Sequence, residues 1–147
     1  MKPVEIEGQF EARMGVNEIG YGNRLRITEE NLLGNVQKIQ LRNGIKQSLS
    51  VNMKSLNFTI EMETGTGKTY VYLKTIFELN KLYGFTKFII VVPSIAIKEG
   101  TNKFLEITQE HFKEEYDNVI CEHFNYDSSK LDKVSSFAIN DCIQIMV

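Results

Sequence analysis

Thr64-Gly65-Thr66-Gly67-Lys68-Thr69 gathers two glycines, one ammonium and three hydroxyls into six residues. That set suits a polyanion. Glycine admits backbone conformations that turn successive N–H groups inward, onto phosphate oxygens. Lys68 is placed to reach the β- and γ-phosphates of a nucleotide, and the Thr69 hydroxyl to ligate Mg²⁺. A helix starting at this point adds the partial positive charge of its N-terminus. The stretch departs from the general pattern G-x-x-x-x-G-K-[ST] at one position, where Met62 stands in place of glycine.

Such a loop needs a strand before it and a helix after it. Phe58, Ile60 and Met62 alternate with polar neighbours, which predicts a strand over Asn57–Met62. Tyr72, Ile76, Leu79 and Tyr83 recur at helical spacing, widened by Leu73 and Phe77, and Gly84 follows as a C-terminal stop. Upstream, Thr28 precedes Glu29 and Glu30 as an N-cap, the apolar positions Leu32, Leu33, Val36 and Ile39 follow, and Asn43-Gly44 ends that helix. Residues 45–56 read as a polar loop. Residues 1–27, with Gly8, Gly15, Gly20 and Gly22, read as an irregular arm holding at most a short strand near Val4–Phe10.

Downstream, Phe88–Val92 is a continuous apolar run ended by Pro93, the pattern of a strand buried on both faces. Ser94 then caps a helix over Ile95–Tyr116 that turns Ile97, Phe104, Leu105, Thr108 and Phe112 inward, with Gly100 a candidate interruption near its start. A strand over Val119–Phe124, a loop over 125–130, a helix over Leu131–Ile139 and a strand over Cys142–Val147 complete the chain. Alternating strands and helices imply an α/β fold with a doubly wound, mainly parallel sheet and right-handed crossovers. Ligands bind such sheets at the carboxyl ends of the strands, where the phosphate loop and Pro93-Ser94 both fall.

The 147 residues, 42% hydrophobic, suffice for one domain with a core. A formal net charge of -2 gives no global basic field, so nucleic acid would have to be held by local donors. Cys121 and Cys142 stand apart from any C-x-x-C or histidine-rich set and read as reduced core thiols. No apolar run nears the ~18 residues of a membrane span, and the N-terminus lacks an export signal, so a cytoplasmic protein without membrane contact is expected.

Three stretches resemble a known family. They are Asn57 to Tyr72, Lys87 to Ile97 and Asn35 to Gln40. Together they are similar to the first, RecA-like P-loop NTPase domain of superfamily 2 helicases and translocases, most closely the Res subunit of type III restriction enzymes, in which Met at position 62 is the usual residue. The resemblance implies that Thr64–Thr69 is motif I, holding ATP and Mg²⁺ with Lys68 and Thr69 as the catalytic members. It implies that Pro93-Ser94 opens motif Ia, which touches the DNA backbone. An upstream glutamine reads adenine in such proteins, and Gln37, Gln40 and Gln47 all qualify.

By the same resemblance the chain divides into the arm 1–27, a helix and loop over 28–56, and a partial RecA-like domain over 57–147 with motifs I and Ia only. The acidic motif, the second domain and an endonuclease would follow Val147, with a methyltransferase (Mod) subunit as partner and duplex DNA as track. Val119-Ile120-Cys121-Glu122-His123 imitates the acidic motif but is rejected, because a cysteine takes the aspartate position and binds Mg²⁺ poorly. The fragment is therefore expected to hydrolyse ATP negligibly by itself. Two rival readings are a small-molecule phosphotransferase and a non-catalytic nucleotide-binding module. Against the first, the last arginine is Arg42, so no lid arginines follow the loop.

Overall fold

The computed structural model describes residues 27–147. The expected strand near Val4–Phe10, and all of the arm before residue 27, lie outside the described residues. Contacts divide the chain into two compact units, which within the described range are residues 27–61 and Met62–Val147.

In the first unit, helix α1 (Glu29–Arg42) begins where the sequence places a cap: the Thr28 hydroxyl accepts from the Asn31 N–H at 3.3 Å. Its end is satisfied by Asn43, whose side-chain amide donates to the Ile39 carbonyl at 2.8 Å, and by Gly44 at φ 66. The polar loop that follows is tied back to α1 through Ser48. Gln40 donates to the Ser48 hydroxyl at 2.9 Å and accepts from its N–H at 2.7 Å, while Gln37 donates to its carbonyl at 2.8 Å.

The second unit is a mixed α/β layer structure around a small parallel sheet. Helix α2 (Lys68–Tyr83) leads into strand β1 (Lys87–Ile89), then α3 (Ile95–Glu115), β2 (Cys121–Phe124), α4 (Leu131–Ile139) and β3 (Ile143–Met146). The strand order is β1-β3-β2, so the last strand is the central one. Phe88 stands opposite Ile145, and Cys121 opposite Ile143, which sets these residues on one face.

That face is covered by α2 and α3. Leu73, Ile76 and Phe77 from α2 meet Leu105 and Phe112 from α3, and Tyr116 just past it, over Ile143, Ile145 and Val147. The Phe77 and Phe112 rings stack at 4.7 Å between centroids, with Tyr116 stacked on Phe77 at 5.2 Å. Side chains of this size stabilise the fold by about 1.5–3 kcal/mol each when fully buried. On the opposite face the Phe137 ring of α4 meets Phe124 edge-on at 5.9 Å, and the Lys87 ammonium lies 5.7 Å from the Phe137 centroid.

Several expectations are corrected. Residues 57–62 form no strand, and Phe58 and Ile60 are exposed; a strand is held by a neighbour's ladder, and among the described residues none pairs with this one. The apolar run Phe88–Val92 contributes only three residues to β1, and Ile89 and Val91 are exposed at 61% and 88%. Burial on both faces therefore does not hold for it: among the described elements, the covered face takes Phe88 and Ile90, and the alternate residues face away. Helix α3 passes through Gly100 unbroken, and the inward position near its start is Thr101 rather than Ile97.

Candidate phosphate-binding loop

Between Met62 and Lys68 the chain closes into a ring held by its own carbonyls. Gly65 and Gly67 both lie in the left-handed region, at φ 80 and 83, where a side chain would be strained. The Lys68 ammonium donates to the Met62 carbonyl at 3.0 Å and to the Glu63 carbonyl at 2.7 Å. The Thr66 hydroxyl donates to the same Glu63 carbonyl at 2.7 Å. Met62 enters through its main-chain oxygen and without a positive φ, so nothing in the ring requires glycine there.

Helix α2 starts at Lys68 with no side-chain cap and no acid in its first turn. The first intrahelical bond is the Val71 N–H to the Gly67 carbonyl at 3.0 Å, which leaves the earlier N–H groups of the turn for an outside acceptor. Thr64, Gly65, Thr66, Gly67 and Lys68 are exposed and Thr69 is half-buried. The result is an exposed loop edged by backbone N–H groups and one ammonium, with no carboxylate on α2's first turn to oppose an anion.

Pro93 and Ser94 are exposed at the start of α3, where the Ser94 hydroxyl accepts from the Ile97 N–H at 3.3 Å. The first turn of α3 likewise carries no acid. Cross-helix bonds join Tyr72 to Thr101, Tyr70 to His111, Lys74 to Glu115 and Glu78 to Tyr116. Since α3 joins two parallel strands, it starts at the end of the layer where the strands finish, while α2 ends where β1 begins.

Residues 25–144 match the family model described as "Type III restriction enzyme, res subunit". The chain belongs to this family. It is 46% identical over 99 residues to the type III restriction-modification enzyme EcoPI Res subunit of Escherichia phage P1, a match covering 65% of this chain and 10% of that protein. Against the EcoP15I Res subunit of Escherichia coli it is 47% identical over 95 residues, 63% of this chain and 10% of the relative. The StyLTI Res subunit of Salmonella typhimurium matches at 47% over 68 residues, 45% of this chain and 7% of the relative. The chain thus spans about a tenth of the length of the Res subunits it matches first.

Other polar residues of this Res-family chain are engaged within the fold. Glu122 follows the first residue of β2, and its carboxylate accepts from Gln144 at 2.8 Å and from Asn140 at 3.4 Å. It sits at the start of its strand, away from the ends where the loop helices begin, so the Cys121-Glu122 pair does not imitate an acidic motif in space. Cys121 is held by burial as a thiol with its pKa pushed up to about 12. The Lys87 ammonium donates to the Asn140 carbonyl, and burial lowers its pKa. Gln37, Gln40 and Gln47 all donate their amides inside the first unit, Gln47 to the Gln37 carbonyl at 3.3 Å. No cluster of ligating side chains able to hold a metal by itself occurs among the described residues. No helix among them is long and apolar enough to cross a membrane.

Proposed function

We propose that the chain is the nucleotide-binding portion of an ATP-dependent DNA translocase, the restriction (Res) subunit of a type III restriction-modification system. The observation that carries this reading is the loop ring: Lys68 bonded to two loop carbonyls, left-handed Gly65 and Gly67, and an uncapped α2 start beside them. Open backbone at both glycines, where an added Cβ would meet nothing within 4 Å, leaves room for a triphosphate to approach. Thr64–Thr69 would hold the phosphates and Thr69 the Mg²⁺, a hard cation that prefers oxygen ligands and keeps several waters. When bound, Mg²⁺ would neutralise charge developing on the transferred phosphoryl group. This chain's residues bind and orient: Lys68 offers its ammonium, the loop its N–H groups, and Thr69 one hydroxyl.

In this reading residues 57–147 are part of a doubly wound RecA-like domain, 28–56 lead into it and 1–27 form an arm. Pro93-Ser94 would touch the DNA backbone, a contact that positions the strand without reading bases. The whole protein would work in the cytoplasm with a methyltransferase subunit that supplies sequence recognition. The test is a thermal melt with and without saturating Mg²⁺·ATP. Stabilisation of the wild-type chain, absent from Lys68→Ala, is the expected result. No shift in either would leave the non-catalytic module without nucleotide as the better description.

A further inference from the structure

Polar pairs join α2 to α3 and the residue that follows it, and two of them are partly buried: Glu78–Tyr116 toward the far end of α2, and Tyr72–Thr101 near the loop. Tyr70 Oη lies 3.1 Å from His111 Nε2, and Lys74 Nζ 2.5 Å from Glu115 Oε1, both exposed. The Tyr72 hydroxyl instead lies 3.2 Å from the Thr101 hydroxyl, which is buried at 3% exposure. A buried hydroxyl deprived of its partner is costly, so this bond fixes a distance more firmly than the surface pairs do. Tyr72 stands three residues past Thr69, and Thr101 seven past Ser94. The bond therefore connects the second turn of α2 to the second turn of α3.

Beyond that bond the start of α3 is loosely held. Ile95 and Ile97 are exposed at 75% and 49%, so the first turn is not pinned to the core, whereas Leu105 and Phe112 further along are buried. We infer that Tyr72 is a positioning residue that couples the phosphate loop to the Pro93-Ser94 turn through its bond to Thr101. A movement of the first turn of α2, as the loop closes on phosphate, shifts the Tyr72 hydroxyl. Thr101 then carries that shift to the unpinned start of α3. The inference rests on the proposed reading in taking nucleotide as the natural trigger.

Hydrogen exchange on the chain, followed by mass spectrometry, tests it. In the wild type, saturating Mg²⁺·ATP is expected to slow exchange at 62–69 and also at 94–98. Tyr72→Phe should keep nucleotide affinity and protection at 62–69 while losing the response at 94–98. Thr101→Val should lose it too, and Thr101→Ser, which keeps the hydroxyl, should retain it. A merely structural role would instead raise exchange along the whole of both helices. A second arm needs no ligand: Gly67→Ala strains the loop at φ 83, and should alter exchange at 94–98 only when Tyr72 is present. If nucleotide binds nowhere, the proposed function fails while this arm still decides the coupling. A Tyr72→Phe protein that transmits either perturbation like the wild type overturns the inference, as does silence at 94–98 under Gly67→Ala with Tyr72 present.

Discussion

The Lys68 ammonium donates to the main-chain carbonyl of Met62, six residues back, at 3.0 Å. Because the contact is with the backbone, the side chain at 62 is free to vary. Met62→Ala is expected to leave nucleotide affinity nearly unchanged. Lys68→Ala removes charge-assisted bonds worth about 1.5–3 kcal/mol and should weaken binding by about tenfold or more. Titration with a fluorescent nucleotide compares the two. A large loss in the Met62 variant would mean that its side chain, not its carbonyl, shapes the loop.

Two glycines should respond with opposite sign. An added Cβ meets nothing within 4 Å at either Gly67 or Gly100, so only backbone conformation separates them. Gly67→Ala forces alanine to φ 83 and should cost about 1–2 kcal/mol. Gly100→Ala, inside α3, should gain about 0.5–1 kcal/mol by lowering the entropy of the unfolded chain. Urea denaturation measures both, and a destabilised Gly100→Ala protein would contradict the open space at that site.

Phe112 joins the two covering helices. It is 1% exposed and stacks on Phe77 at 4.7 Å and on Tyr70 at 5.4 Å. Phe112→Ala is expected to cost about 3–5 kcal/mol, enough to unfold a marginal chain. The circular dichroism melt should show it, and a loss below ~1 kcal/mol would mean the neighbouring rings collapse into the space.

Alkaline pH should destabilise the second unit. Burial raises the Cys121 pKa to about 12 from 9.0, and burial followed by the Glu78 hydrogen bond raises that of Tyr116. Each group is neutral in the fold and ionises more easily once unfolded. The associated stability is complete below the unfolded pKa and is lost as pH rises from about 9 toward 12. Cys121→Ala should flatten that slope in denaturation midpoints taken across the range, and an unchanged slope would assign it elsewhere.

Most elements were legible because their signals are local. Thr28 and Ser94 cap helices with their own side chains, Gly84 ends α2 in the left-handed region, and α4 begins and ends where expected. The strands were less legible, since a strand depends on its neighbours. Phe58-Thr59-Ile60 alternates as a strand should and yet finds no ladder, and Ile89 and Val91 look buried in sequence but face outward. The loop was readable from glycine spacing, but the role of Met62 through its carbonyl was not, because main-chain contacts leave no mark on residue type. The Tyr72–Thr101 bond was missed for a related reason. A tyrosine in an apolar stripe reads as core, and nothing in the sequence pairs it with a threonine 29 residues away.

The order β1-β3-β2 also bears on how the chain is made. Among the described residues every strand pairing runs through Ile143–Met146, and Lys87 must wait for Gln144 before its ladder can close. During synthesis β1 and β2 emerge from the ribosome before β3, their partner among the described residues. Loop closure over so long a separation is slow, which leaves the apolar strands open to other chains in the interval.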